Sequence, residues 1–309
     1  MNKGSLYYRQ VRLLVRLLPI IAKEPCFALK GGTAINLFVR ELPRLSVDID
    51  LVYLPLDDRE TALRNIRAAL SRIAKDIQQE IPDSKVVPAH EESDALRLFV
   101  TQGDASVKIE LSPVLRGSVF PATNMAVTGR VESEFGYAEL PVLSLSDLYA
   151  GKICAALDRQ HPRDLFDVKL RLENEGLTKE LRQTFLVYLI SHNRPMSELL
   201  APARRNIRGI FENEFAEMIE IPVTVEELEE VRERLIQTIH SGLSEEEKQF
   251  LVSFKARKPD WPLLGLDGVK DLPAVKWKMI NLGKMSADKH TKALKTLEEV
   301  LYTKNGHKV

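Results

Sequence analysis

Lys30-Gly31-Gly32-Thr33 and, further on, Val47-Asp48-Ile49-Asp50-Leu51-Val52-Tyr53 are the stretches that decide how this 309-residue chain folds. In the second, Val47, Ile49 and Leu51 alternate with Asp48 and Asp50, the period of a half-buried strand. Side chains at i and i+2 share a face, so both carboxylates point one way while the apolar set enters the core. Two adjacent carboxylates repel each other. A divalent cation between them reverses that cost, and all-oxygen ligation suits Mg²⁺ or Mn²⁺. Without an ion, the pair is the solvated side of a half-buried strand.

The first stretch closes a short apolar run, Cys26-Phe27-Ala28-Leu29, that reads as a buried strand entering a sharp turn. Thr33 then opens a helical segment through Leu37 and Phe38, closed before Pro43. Consecutive glycines such as Gly31 and Gly32 let backbone approach a phosphate, and a helix start offers free N–H groups. Thr33 either caps the helix or donates its hydroxyl to a phosphate oxygen. The spacing is not that of a P-loop. Ser46 shares the polar face of Asp48 and Asp50, as a phosphate or metal-shell contact or as an ordinary strand serine.

Outward from there, Asp57 to Glu80 reads as a long amphipathic helix (Leu63, Ile66, Leu70, Ile73, Ile77). Leu96 to Thr101 and Ala105 to Leu111 read as two strands around Gln102-Gly103-Asp104. In Val107-Lys108-Ile109-Glu110-Leu111 the alternation puts Lys108 and Glu110 on the polar face. If this strand lies beside Asp48, Glu110 is a third carboxylate, and three such acids can hold two metals ~3.5–4 Å apart. Alone, Glu110 is a surface residue. After about Ser144 the periodicity becomes helical, and Ser244-Glu245-Glu246-Glu247 forms a capping box. The sequence therefore predicts an α/β (α+β) chain: an N-terminal domain, 1–144, with a mixed β-sheet and flanking helices, then a mostly helical domain, 145–309.

In the helical half, Lys152 and Arg159 lie seven apart on one helix face, where both reach a triphosphate or form a solvated cationic stripe. Pro162 starts a new helix, so Asp164 and Asp167 either orient Lys152 or Arg44, or are helix-start carboxylates.

Gly32-Thr33 followed by Asp48-Ile49-Asp50 resembles the Gly-Ser/Thr…Asp-x-Asp motif of the polymerase-β-like nucleotidyltransferases. Lys30-Gly31-Gly32-Thr33-Ala34, Arg44-Leu45-Ser46-Val47-Asp48-Ile49-Asp50-Leu51 and Lys152…Arg159…Arg163-Asp164-Leu165-Phe166-Asp167 more closely resemble the AbiEii/MenT-type toxins. So does Phe250-Leu251…Lys258-Pro259-Asp260-Trp261. The resemblance implies transfer of a nucleoside monophosphate from an NTP with Mg²⁺, a cognate antitoxin, and the 3′ acceptor end of tRNA as target, with a block of translation. It makes Asp48 and Asp50 metal ligands, and Thr33 with the Gly31 and Gly32 amides phosphate binders. Lys152 becomes the helix lysine and Asp167 or Asp164 the late aspartate. Glu110 stands where the wider superfamily often has Asp, as third ligand or base.

Composition sets the outer limits. With 44 Lys/Arg and 44 Asp/Glu, the formal net charge is zero, which excludes a binder driven by a net positive field. Neutrality is unevenly distributed: residues 1–45 carry eight basic and two acidic residues, and 251–309 carry twelve and six. If the two basic segments meet around the Lys30 turn, they form an RNA-binding face. Cys26 and Cys154 sit in apolar surroundings and offer neither a disulfide framework nor a zinc site. The six histidines, at 90, 161, 192, 240, 290 and 307, lack metal-ligand spacing. No stretch reaches the ~20 apolar residues of a membrane span, and the amphipathic N-terminal run is no signal segment, so a cytoplasmic protein is expected. Two other functions compete: transfer to a small-molecule or protein hydroxyl, which an acceptor swap separates, and non-catalytic nucleotide binding, which leaves pyrophosphate unreleased.

Overall fold

A computed structural model describes residues 2–88 and 96–303. The chain divides into two compact units, Met1–Ser144 with Glu214–Val223, and Leu145–Asn213 with Thr224–Val309.

The first unit is built on a seven-stranded mixed sheet. Helix α1 (Leu6–Ile21) is capped by Ser5, whose hydroxyl accepts from Tyr8 N, and buries Leu14, Leu17 and Leu18. Next come β1 (Phe27–Lys30), a single turn α2 (Gly31–Ala34) that runs into a π-helical turn Ile35–Val39, and β2 (Asp48–Tyr53). Helix α3 (Arg59–Glu80) starts at Asp58, which accepts from Thr61 N. Then follow β3 (Ser84–Pro88), β4 (Leu96–Gln102), β5 (Ala105–Leu111), β6 (Thr123–Ala126), α4 (Gly129–Phe135) and β7 (Glu139–Val142).

The spatial order is β3-β4-β5-β2-β1-β7-β6, with β2 parallel to β5, β1 parallel to β7, and the other pairs antiparallel. Alternation sorts the two faces. Leu98, Val100, Val107, Ile109 and Ile49 are buried on the side where α1 packs on β5 and α3 on β4. Burying each such side chain stabilises by about 1.5–3 kcal/mol. Asp48, Asp50, Lys108, Glu110, Arg97 and Phe99 take the opposite face.

The second unit is helical. Its helices are α5 (Leu145–Asp158), α6 (Pro162–Asn174), α7 (Lys179–Ser191), α8 (Met196–Leu200), α9 (Arg208–Glu214), α10 (Val225–Gly242), α11 (Glu245–Lys255), α12 (Pro273–Gly283) and α13 (Ala287–Tyr302). Helix α5 packs on α6 and α7, and α10 on α6. The capping box at Ser244 forms in both directions, Glu247 N donating to Ser244 Oγ at 3.2 Å and Ser244 N to Glu247 Oε2 at 2.9 Å. Phe250, Phe254 and Trp261 gather beneath the following turn, with Trp261 5.6 Å and 6.1 Å from the two phenyl rings. No helix among the described residues is long and apolar enough to cross a membrane. Cys154 is buried, Cys26 is half-buried, and both are free thiols.

Candidate active site

The sheet register assembles the first unit's site. Lys30 on β1 lies opposite Asp50 on β2, Asp50 opposite Glu110 on β5, and Glu110 opposite Arg97 on β4. Cation, acid, acid and cation thus cross four strands in one row. In the next row Asp48 lies opposite Lys108, and Lys108 opposite Phe99. Asp48 and Asp50 are half-exposed and share one face of β2.

The Gly31-Gly32 turn is held against the Asp50 carboxylate. Gly31 has φ +74°, a left-handed conformation that a β-carbon disfavours, and a Cβ there would lie 2.5 Å from Asp50 Oδ2. A Cβ on Gly32 would lie 2.7 Å from Arg44 Nη2 and 3.1 Å from Ser46 Oγ. Thr33, only 1% exposed, donates its hydroxyl to the Asp48 carbonyl at 2.5 Å and sits 3.0 Å from Ser46 Oγ. The two hydroxyls expected at phosphate are therefore buried beneath the turn, where they tie it to the start of β2. Asn36 adds a bond from its side-chain amide to the Gly32 carbonyl at 2.8 Å.

Glu110 is in register with the aspartates, but its carboxylate is engaged: Lys108 Nζ stands 2.7 Å and Arg97 Nη2 3.0 Å away. Burial raises the cost of ionising Glu110, yet Lys108, Arg97 and Lys30 hold its pKa below the usual carboxylate value. Burial likewise opposes the Lys108 ammonium, and the bond to Glu110 with the charges of Asp48, Glu110 and Asp50 holds its pKa above the ordinary lysine value. No group of three acid, His or Cys side chains placed to hold a metal occurs among the described residues. Asp48 and Asp50 still suit Mg²⁺ or Mn²⁺. They are hard oxygen donors on one face, beside the side-chain-free backbone of Gly31 and Gly32, and Mg²⁺ sites commonly combine one or two carboxylates with substrate phosphates.

In the helical unit, Lys152 on α5 is 7% exposed and meets Asp164 at 2.8 Å and Asp167 at 3.1 Å, both on α6. Arg159, 57% exposed, grips Asp164 through Nε at 2.5 Å and Nη2 at 3.0 Å. Burial works against the Asp164 carboxylate, but Lys152 and Arg159 outweigh it and its pKa falls well below the usual range. The junction that aligns them is local: His161 Nδ1 accepts from Arg163 N at 3.1 Å as N-cap, and Pro162 supplies the first helical position.

A model of the family described as "Nucleotidyl transferase AbiEii toxin, Type IV TA system" matches residues 12–280. The chain belongs to the AbiEii family. It is accordingly a nucleotidyltransferase, transferring NMP from NTP, and the toxin of a type IV toxin–antitoxin system, which implies an antitoxin partner. Among solved structures the fold is similar to MenT4, a nucleotidyltransferase toxin of Mycobacterium tuberculosis H37Rv. The TM-score is 0.62 at 13% identity, covering 96% of this chain and 95% of that one. No curated protein matches the sequence.

For this AbiEii protein, sequence reasoning placed Asp48, Asp50, Gly31, Gly32, Thr33, Ser46 and Glu110 in one neighbourhood, and the sheet brings them together. Sequence reasoning gives Arg97 no role, sets Lys108 on the polar face without a partner role, and pairs Arg44 only with Asp164 or Asp167. Lys108 was accessible to it, since the residue alternates in phase with Glu110. Arg97 and Lys30 join only through strand register, and Arg44 only because the turn folds over it, 1% exposed, with Nη1 on the Leu45 carbonyl at 2.8 Å. Of the histidines, His161, His192, His240 and His290 bond to backbone. His90 and His307 lie outside the described residues.

Proposed function

We propose that this AbiEii toxin transfers a nucleoside monophosphate from an NTP to the 3′ acceptor end of tRNA, in a reaction needing Mg²⁺ or Mn²⁺, and so blocks translation. The observation that carries the reading is the Gly31-Gly32 turn abutting Asp50, with Asp48 two residues away on the same face of β2. The acceptor hydroxyl oxygen forms a bond to the α-phosphorus, the bond to the pyrophosphate oxygen breaks, and the hydroxyl proton leaves to a carboxylate or water. A bound divalent ion would neutralise charge on the triphosphate, and Asp48 and Asp50 would hold it.

The remaining roles fall to the chain itself. Backbone N–H groups of the Gly31-Gly32 turn bind phosphate oxygens, and Thr33 and Ser46 fix the turn. Lys108, kept charged, offsets negative charge gathering beside Asp48. Glu110 holds Lys108 in place and is the third carboxylate candidate. In the helical unit, Asp164 and Asp167 position Lys152 and Arg159, the cations that the family likeness makes candidates for phosphate. The family likeness to toxins and the neutral overall charge support a localised, metal-assisted RNA contact. Labelled NTP incubated with total tRNA tests the reading: label is expected on tRNA and not on free sugars or protein.

A further inference from the structure

The sheet face that carries the two aspartates continues past β5 onto β4 and β3, and its composition changes there. Along the row starting at Asp48, the residues are Lys108, Phe99 and Val87, each directly paired with the next. Phe99 is 39% and Val87 44% exposed, a cross-strand apolar pair facing solvent. The neighbouring row holds Lys85, Thr101 and Ser106, again in direct register. Arg97 and Glu110 bound the strip on its other side. Lys108, Arg97 and Lys85 thus flank the aromatic against Glu110 and Asp48, and Lys85 extends the positive charge onto the edge strand β3, as suits a polyanion.

Position decides what the strip holds. The phosphate-binding turn follows β1, which flanks Asp50 on one side, whereas β5 and β4 flank it on the other. In an in-line displacement the nucleophile enters opposite the leaving pyrophosphate. With the triphosphate at the Gly31-Gly32 turn, the acceptor approaches across β5 and β4. Two strand spacings, roughly 10 Å, separate Asp48 from Phe99. An exposed aromatic on an open sheet, flanked by Lys and Arg, is a stacking platform for unpaired bases.

We propose that Phe99, backed by Val87 and flanked by Lys85 and Arg97, stacks a base of the acceptor's unpaired 3′ end and so selects single-stranded RNA termini. This rests on RNA being the acceptor. The test compares Phe99→Ala and Phe99→Trp with the unaltered protein in the labelled-NTP transfer to tRNA. Binding of a fluorescein-labelled single-stranded RNA oligonucleotide with a free 3′ hydroxyl is followed in parallel by anisotropy.

Phe99→Ala is expected to raise KM for tRNA and weaken the oligonucleotide about 5- to 150-fold, with KM for the NTP within about twofold. Phe99→Trp should restore both and be quenched by the oligonucleotide. An unchanged RNA KM in Phe99→Ala, while the unaltered protein labels tRNA, overturns the platform and leaves the proposed function standing. So does loss of antitoxin neutralisation with RNA binding intact, which would make the strip a protein interface. Label reaching no RNA in the unaltered protein overturns the proposed function and the platform with it.

Discussion

A methyl group at Gly31 would enter the space of Asp50 Oδ2 and force a left-handed φ on a residue with a side chain. The left-handed conformation alone costs roughly 1–2 kcal/mol for an L-residue, and the overlap displaces Asp50 besides. Gly31→Ala should therefore lower stability by at least that amount in urea unfolding and reduce transfer at the same time. Asp48→Ala and Asp50→Asn separate the two effects. Both side chains are half-exposed polar groups, so the melting temperature should change little while transfer falls by about 10²–10³-fold or more. A large drop in melting temperature with residual transfer near the unaltered level would assign the aspartates a structural role. Thr33 is expected to behave like Gly31, because its hydroxyl is spent on the Asp48 carbonyl. Thr33→Val should shift both stability and activity, whereas a pure phosphate contact would shift activity alone.

At the scale of elements, the α5–α6 junction makes a pH prediction. Lys152 and Arg159 hold the folded pKa of Asp164 below its unfolded value of about 3.9. A carboxylate so shifted contributes stability that is present above the unfolded pKa and is lost as pH falls through the folded one. Asp164→Asn leaves a buried Lys152 short of a partner and should cost about 3–5 kcal/mol near neutral pH, the deficit narrowing below about pH 4. Urea unfolding from pH 7 down to pH 3 checks this; a deficit constant across the range would contradict it.

The same scale shows what the residue pattern could convey. The strands β2 and β5 and the helix α3 are legible because their apolar residues keep a clean period of two or 3.6. The mixed sheet itself was expected. Strands β3, β6 and β7 escaped because they have only four or five residues, and β7 and β3 contain Pro141 and Pro88, which read as breaks. Helix α12 starts where a stretch with Pro259, Pro262, Gly265, Gly268 and Pro273 reads as loop over residues 257–273, and its own periodicity carries no clear signal. Pro273 sits at its first position, where a missing N–H costs nothing. The turn after β1 starts at Gly31 rather than Thr33 and widens into a π turn, closed by Arg40 N on the Ile35 carbonyl at 2.8 Å. Local propensity carries no signal for that.

For the whole molecule, residues 214–223 join the sheet unit, and no periodicity in the sequence marks that return. That return is made by backbone. Leu45 N donates to the Met218 carbonyl at 2.8 Å, Glu220 N to the Pro43 carbonyl at 3.0 Å, and Arg44 bridges Ile219. Phe215 and Met218, each 1% exposed, bury themselves there, and Arg130 pairs with Glu220 at 2.6 Å. A chain ending at Ser144 should accordingly lose cooperative thermal unfolding, because the segment preceding β2 loses its hydrogen-bond partners and apolar cover. A sharp transition at the temperature of the full chain would show that 214–223 is dispensable to the sheet unit.

The family fixes the reaction class, and the residues proposed to serve it are those that the register brings together on one sheet face. Transfer of α-³²P-labelled NTP to total tRNA, with and without Mg²⁺ or Mn²⁺, in the unaltered protein and in Asp48→Ala, tests this most directly. Labelled tRNA is expected only with the metal, and Asp48→Ala is expected to give less than about a hundredth of that label. Full labelling by Asp48→Ala, or labelling that survives complete chelation, would contradict it.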